Sequence, residues 1–433
     1  MKDLYVLGKN ASYSADSEVT GLNNNIIVCG GTGCGKTMSI VEPTLMATFD
    51  SSLVITVSKR RLIDKYTPIF RKAGYDVKVL DFADPENSEI AYDPLLQINS
   101  YGDIDDIAGS IALYDFESKD PYWEHAAKNM LCAEIAAVLM RETAPTFADV
   151  LKLHTTVASQ DKANEKIFND IAQKYPEGCY ASTRWADFED LAHRTYGCVY
   201  STLSASFGRF FTEESKKMMA RGSNLDFRSV ADKKTVLFVY VSSANAAHYA
   251  LANMFYGQLL KALIEYGEEL PNGELPVPVR FIFDDFAVGN RIPDFAVKIS
   301  IFRAMGISVM ILIQSETQLR GMYGYNDAVT IINNCDTYVY MGGNDTDTCS
   351  EIGRRMGKPL HEILCMPLNR EIIFRRGSEP MITERCDTVF AASSAKKNPS
   401  TGEYSRTNNV KGISPEDGKA NIYRELARRS VAL

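Results

Sequence analysis

Residues 30–37, Gly30-Gly31-Thr32-Gly33-Cys34-Gly35-Lys36-Thr37, have the types and spacing to hold the phosphates of a nucleotide. They fit G-x-x-x-x-G-K-[ST], and each fixed position has a chemical reason. Glycines let backbone N–H groups turn inward on a β-phosphate without Cβ clashes. Lys36 reaches the β- and γ-oxygens, and Thr37 places a hydroxyl on Mg²⁺. The run "NIIVCG" ahead of the loop reads as a strand, and the segment after it as a helix. The phosphates would then meet a helix N-terminus, whose dipole favours negative charge. Cys34, inside the loop, reads as a small tolerated residue rather than a redox switch, since nothing nearby in the sequence marks an activated thiol.

A phosphate loop needs a second, acidic site for metal and water. "VRFIFDDFA" supplies it, placing Asp284 and Asp285 at the carboxyl end of an apolar strand. In nucleotide hydrolases of this type the first carboxylate meets the Mg²⁺ shell and the second positions the attacking water. The competing acidic run, "GDIDD" at 102–106, reads as a solvated helix start. Gln314 ends the strand-like "ISVMILIQS"; a strand-end amide there either senses the γ-phosphate or merely terminates the strand. Arg303 lies eleven residues upstream, in "IFRAMG". The five histidines show no metal spacing.

These residues need elements to carry them. The strand-like runs are "NIIVCG", "LVITVS", "DVKVLDF", "TVLFVYV", "VRFIFDD", "ISVMILIQ" and "DTYVYMG", several of them apolar almost throughout. That pattern suits parallel strands covered on both faces. Helical segments between them imply right-handed crossovers and an open α/β fold with a mostly parallel central sheet. Residues 101–222 break the rhythm. "PYWEHAAKNMLCAEIAAVLMRE", "TFADVLKLHTTV" and "DKANEKIFNDIAQKYP" are helical in pattern with no strand among them, so an all-α domain inserted into the α/β domain is expected. Tyr122 and Trp123 read as core. The expected division is 1–100 (first nucleotide-binding part), 101–222 (all-α insert), 223–390 (second nucleotide-binding part) and 391–433 (polar tail with a short helix).

With 433 residues the chain has room for two or more lobes, and 45% apolar and 24% charged content is ordinary for a soluble globular protein. No apolar stretch is long enough to span a membrane, and the start lacks a secretory signal. Nine cysteines without C-x-x-C pairs read as reduced thiols. The net charge of −8 opposes a general nucleic-acid-coating surface. The excess is uneven: residues 101–222 carry 13 Lys/Arg against 19 Asp/Glu, a net of −6.

Taken together, these blocks resemble the type IV coupling proteins of conjugation and type IV secretion (TraG/TraD-like), relatives of the FtsK and HerA motor ATPases. The resemblance runs through nearly the whole chain. It includes the loop followed by "SIVEPTL", then "RKAGYDVKVLDFADPENSEIAYDPL" and "DPYWEHAAKNML". "FDDFAVGNRIPDFAVKISIFRAMGISVMILIQSETQL" and "TIINNCDTYVYMGGNDTDT" are its most specific parts. It implies a RecA-like P-loop NTPase domain with an all-α domain, assembled as a homo-hexameric ring. Lys36, Thr37 and Asp284 would hold ATP and Mg²⁺, with Asp285 as catalytic acid and Gln314 as sensor. Arg303 would reach a neighbouring subunit's nucleotide.

The implied partners are single-stranded DNA in the ring channel, a relaxase or accessory protein, and type IV secretion channel components. The acidic insert, wrong in charge for DNA, would take the protein partner. Arg354–Arg355 and Arg375–Arg376 would line a DNA channel or lie on solvated faces. The expected location is cytoplasmic, peripheral at the inner face of the cell membrane, with any anchor coming from a separate protein. Away from the ring, a monomer is expected.

Three departures stand out. Relatives usually carry Glu where Asp285 stands, and Asp-Pro-Lys-Gly-Glu where this chain reads "VSKRR", which keeps Lys59. Most also have N-terminal membrane helices, and here 29 residues precede Gly30. The first two bear on hydrolysis, and leave a rival: a non-motor adaptor that binds ATP as a structural ligand and recruits cargo.

Overall fold

A computed structural model describes residues 3–113, 121–158, 162–174, 179–242, 244–289 and 291–386. The expected polar tail and its short helix lie outside the described residues. Two compact units emerge. One comprises Met1–Ser51, Val277–Phe286 and Gly306–Leu433; the other comprises Ser52–Pro276 and Ala287–Met305. The described strands are, in chain order, β1 (Leu4–Val6), β2 (Ser12–Ser14), β3 (Ile26–Cys29), β4 (Ser52–Val57), β5 (Asp76–Asp81) and β6 (Thr235–Tyr240). They continue with β7 (Val279–Phe283), β8 (Ile307–Ile313), β9 (Thr337–Tyr340), β10 (Arg370–Arg375) and β11 (Met381–Glu384).

In the first unit β3 runs parallel to both β8 and β9, with Val28 opposite Leu312 on one side and Val339 on the other. β7 lies parallel on the far side of β8, Ile282 opposite Met310. Every residue of β3, β7, β8 and β9 is buried, which is why their sequences are apolar without alternation. β10 and β11 then extend this sheet antiparallel beyond β9. β1 and β2 form a separate antiparallel hairpin.

One charge sits inside this layer. Arg280 on β7 is 2% exposed; its guanidinium lies 4.2 Å from the Tyr5 ring, donates to Thr48 Oγ1 and faces the Asp3 carboxylate at 3.5 Å. Asp3 also accepts the backbone N–H groups of Phe49, Asp50 and Ser51. Burial alone would raise its pKa, yet Arg280 and these donors hold the carboxyl below its ordinary value. Removing one partner strands the other charge in the core. Arg280→Ala should therefore destabilise the protein by roughly 3–5 kcal/mol, read by denaturant unfolding.

The second unit holds a three-stranded parallel sheet, order β4-β6-β5, with Val54 opposite Leu237 and Val79 opposite Phe238. From Tyr101 to Asp232 every described element is a helix, as the sequence pattern indicated. Helix Tyr122–Arg141 is the centre of this bundle: residues 130–138 are all buried, on every side of the helix. Its first turn differs from expectation. Tyr122 is exposed and Trp123 only half-buried, so the aromatic pair caps the helix start rather than filling the core.

The acidic run at 102–106 does start a helix, Tyr101–Ala112, through a Ser100–Asp103 capping box. It is not simply solvated, however. Lys261 Nζ reaches Asp103 at 2.5 Å and Asp106 at 2.7 Å, while Asp105 takes Lys128, Arg184 and the Tyr180 hydroxyl. Cations from other helices, not sequence neighbours, set that environment.

The bundle also contains a carboxylate–imidazole–hydroxyl line. His154 Nδ1 lies 2.9 Å from Glu134 Oε1, and Nε2 lies 2.9 Å from Ser204 Oγ. Hydrolases use such a line, but acyl chemistry also needs oxyanion donors. Ser204 sits inside helix His193–Phe210, where the backbone N–H groups are spent on the helix, and its own hydroxyl bonds the Tyr200 carbonyl. The line is a polar tie between three helices.

Candidate nucleotide site

The loop leaves β3 and turns into a helix within eight residues. Gly33 (φ 76°) and Gly35 (φ 87°) occupy the left-handed region, which a Cβ disfavours. Gly30 has a different reason. A Cβ there would lie 2.7 Å from Cys34 Sγ and 2.9 Å from Met341 Cβ. Gly30 N donates to Ile313 O and Gly31 N to Gly342 O, which pins the loop's first turn to the strands on either side. Thr37 opens a π-helical turn, Thr37–Val41, that continues as helix Glu42–Met46. Pro43 lies in the first turn of that helix, where its missing N–H costs least.

Lys36 is 9% exposed, and its ammonium donates to Gly30 O at 2.5 Å and Gly31 O at 3.5 Å. Among the described residues its partners are carbonyls of its own loop, with no carboxylate. A buried ammonium without a counter-ion, inside a glycine cradle, fits an anionic phosphate.

The sheet brings the other predicted residues to the same end. Gln314 follows β8 directly, and its Oε1 accepts from Thr32 Oγ1 at 3.1 Å. Of the two readings left open by the sequence, the amide is in touch with the loop. Asp284 and Asp285 follow β7, the second strand over from β3, so roughly 10 Å of strand spacing separates their backbone from the loop's. Asp285 has φ 54°, and Phe286 N then returns to Leu312 O at 3.0 Å. Asp is several-fold enriched in the left-handed region, which gives a backbone reason for Asp at this position. Arg303 lies exposed on the short helix Phe302–Met305 of the second unit. It is therefore not among the residues that the first unit assembles.

Some of the predicted basic residues have partners at home. Arg354 and Arg355 bond Glu351, Arg355 also bonds the fully buried Glu316, Arg375 covers the Tyr13 ring at 4.0 Å and Arg376 pairs with Asp336. Arg354 stays 77% exposed, and Arg376 61%. Cys34 is half-buried, and all nine cysteines are free.

Two residues near the loop were missed by sequence reasoning. Arg385, just past β11, donates to Cys34 O within the loop and to Met341 O at 2.6 Å. Glu371 on β10 is fully buried, and neither carboxylate oxygen has a hydrogen-bond partner among the described residues. No local pattern marks either one: the carbonyls that the Arg385 guanidinium holds lie 351 and 44 residues away, and Glu371 owes its burial to strand pairing.

Burial pushes the Glu371 carboxyl up to about 8, with the Arg385 charge opposing it. The folded protein thus holds this proton more tightly than the unfolded chain does. The contribution to stability is fully present below the ordinary value of 4.5 and is lost as pH rises through about 8. Glu371→Gln removes that dependence. Its melting temperature should gain on wild type steadily as pH is raised across this window, and identical profiles would rule the buried acid out.

A glycine phosphate loop between parallel strands, with strand-end carboxylates and an amide at the same edge, defines a P-loop nucleotide-binding protein of mixed, mostly parallel α/β fold. The chain belongs to the family described as "Type IV secretory system Conjugative DNA transfer", which it matches over residues 3–360.

Among relatives, it is 24% identical over 421 residues to the conjugal transfer protein TraG of Rhizobium radiobacter, covering 87% of this chain and 63% of that protein. It is 22% identical over 340 residues to the protein VirD4 of Agrobacterium fabrum, covering 76% and 49%. It thus spans less than two thirds of the length of these relatives. The bacterial conjugative coupling protein TrwBdeltaN70 has the same fold, with TM-score 0.63 at 15% identity over 90% of each chain. TrwB in complex with ADP and Mg²⁺ gives 0.60 at 13%, covering 84% of this chain and 86% of that one. Among the described residues no helix is long and apolar enough to cross a membrane.

Proposed function

We propose that this protein is an ATP-binding and ATP-hydrolysing coupling protein that links DNA, with its relaxase or other protein cargo, to a type IV secretion channel. The observation that carries this reading is the buried Lys36 ammonium, whose partners among the described residues are carbonyls of a loop shaped for phosphate. TrwB, a neighbour in fold, has been solved with ADP and Mg²⁺, and that pair suits Thr37 and Asp284 here.

Each residue then has a task. Lys36 exchanges its carbonyl partners for β- and γ-phosphate oxygens, and the loop N–H groups complete the cradle. Thr37 and Asp284 hold Mg²⁺, which supplies charge neutralisation across the transferring phosphate. Asp285 orients water. Gln314, already touching Thr32 at the loop, registers the γ-phosphate. Arg303 serves a neighbouring copy's nucleotide in a homo-hexamer that threads single-stranded DNA. The all-α domain, net acidic, takes a basic relaxase or accessory factor by charge complementarity.

A second reading rests on Asp285. Its side chain is shorter than the Glu of relatives by about one C–C bond, roughly 1.5 Å, and displacement on that scale can lower a rate on the order of 100-fold. A chain so slowed would serve as a nucleotide-stabilised adaptor. ATPase turnover measured against protein concentration, with and without single-stranded DNA, separates the two. A motor ring gives specific activity that rises with concentration and with DNA. A flat rate near background would leave the adaptor.

A further inference from the structure

We infer that Arg385 is a positioning residue of the phosphate loop: its guanidinium fastens the Cys34 carbonyl to the Met341 carbonyl and so holds the loop in the shape that receives a nucleotide. This rests on the nucleotide reading above and extends it to a residue outside the loop, the carboxylate strand and the sensor strand.

The geometry has three parts. The first is the fork. Nη1 donates to Cys34 O and Nη2 to Met341 O at 2.6 Å, so one planar group spans the loop and the end of β9. Met341 N is itself bonded to Cys29 O, the last residue before the loop. Arg385 thereby closes a ring of contacts running from β3 through the loop to β9 and back. Such a fork is rigid and always charged, unlike a lysine ammonium.

The second part is space. Arg385 Nη1 lies 4.0 Å from where a Cβ on Gly35 would stand. The guanidinium therefore packs along the loop's far edge, at the residue preceding Lys36. It supports the turn from which Lys36 projects.

The third part is the neighbour. Glu371 lies opposite Thr383 across β10 and β11, two residues from Arg385 on the same face. Its buried oxygens make no hydrogen bond among the described residues, so this acid leaves both Nη groups to the two carbonyls. The β1–β2 hairpin closes over this spot. A Cβ on Gly8 would come within 2.5 Å of Glu371 Oε1, and Lys9 N bonds Glu384 O. Half-buried beneath the hairpin, the carbonyl bonds of Arg385 are partly shielded from competing water.

When nucleotide arrives, Lys36 must leave Gly30 O, and the loop loses one of its own internal ties. The Arg385 bond to Cys34 O does not depend on Lys36 and persists through that exchange. The cradle is then preorganised rather than rebuilt for each nucleotide.

The test is hydrogen exchange of the full chain without nucleotide, compared among wild type, Arg385→Ala and Arg385→Lys, followed by Mg-ATP titration. In Arg385→Ala, exchange in the segment 30–37 should quicken and the Kd for Mg-ATP should rise, each at least roughly tenfold, the loss of one charge-assisted hydrogen bond. Exchange of β10 and β11 should stay as in wild type. Arg385→Lys keeps the charge and one donor and should recover part of both effects. Unchanged loop exchange overturns the proposal. So does equal quickening of the loop and of β10–β11, which would make Arg385 only a staple for the sheet edge. If wild type binds no Mg-ATP, the nucleotide reading fails separately, and the exchange data still decide the role of Arg385.

Discussion

Arg303→Ala should retain ATP binding and lose turnover by roughly 10³–10⁵-fold, the range for an arginine that stabilises a transferring phosphate from outside its own cradle. Arg303 is exposed on the short helix Phe302–Met305, and the proposed function gives it to a neighbouring copy's nucleotide. Mixing experiments make this decisive. Arg303→Ala subunits have an intact loop and carboxylates, and Asp284→Asn subunits have an intact arginine. Where the two meet in the right order, one interface has both working halves, and part of the activity should return. With co-assembly confirmed by sizing, no recovery at any ratio would rule out a shared site. Loss of ATP affinity in Arg303→Ala would argue instead that the residue serves its own subunit.

Lys36→Ala should abolish most of the rise in melting temperature that Mg-ATP produces. A ligand that binds only the folded state stabilises by RT ln(1 + [L]/Kd), so at about 100-fold excess over Kd the wild type gains roughly 2.7 kcal/mol. The side chain being removed is a buried ammonium with no carboxylate partner among the described residues. Its loss therefore leaves no stranded anion behind, and the protein without nucleotide should melt near the wild-type temperature. That separates a binding defect from a folding defect. Equal ATP-induced shifts in variant and wild type would overturn the assignment of the phosphate loop.

Much of this was legible in the sequence because it is written in local chemistry. The loop's glycines, lysine and threonine do their work within eight residues, and a strand before and a helix after follow from the same stretch. Seven strands were visible, most of them because parallel strands buried on both faces must be apolar throughout, and all seven stand where the runs predicted. The all-helical character of the stretch from Tyr101 was equally plain, since no strand-like run interrupts it. The family resemblance lay in the same motifs and is borne out by the match over residues 3–360.

What the sequence left open depends on strand neighbours far apart in the chain. β3 is flanked by β8 and β9, which begin 281 and 311 residues later, and only that pairing sets Gln314 against Thr32. β10 and β11 escaped notice because they join the sheet only by antiparallel pairing beyond β9, and β11, at the edge, is too exposed to carry a burial pattern. The acidic run at 102–106 looked solvated until cations from other helices came to it. Tyr122 looked like core until the bundle left its first turn outside. The same applies to Arg385 and Glu371. A guanidinium 351 residues from the carbonyl it holds, and a carboxyl whose character comes from being sealed without a partner, have no signature along the chain. Covalent neighbours determine propensity and motif. Burial, charge partners and the closing of the loop are decided only when distant strands pair, because hydrogen bonds and desolvation act through space.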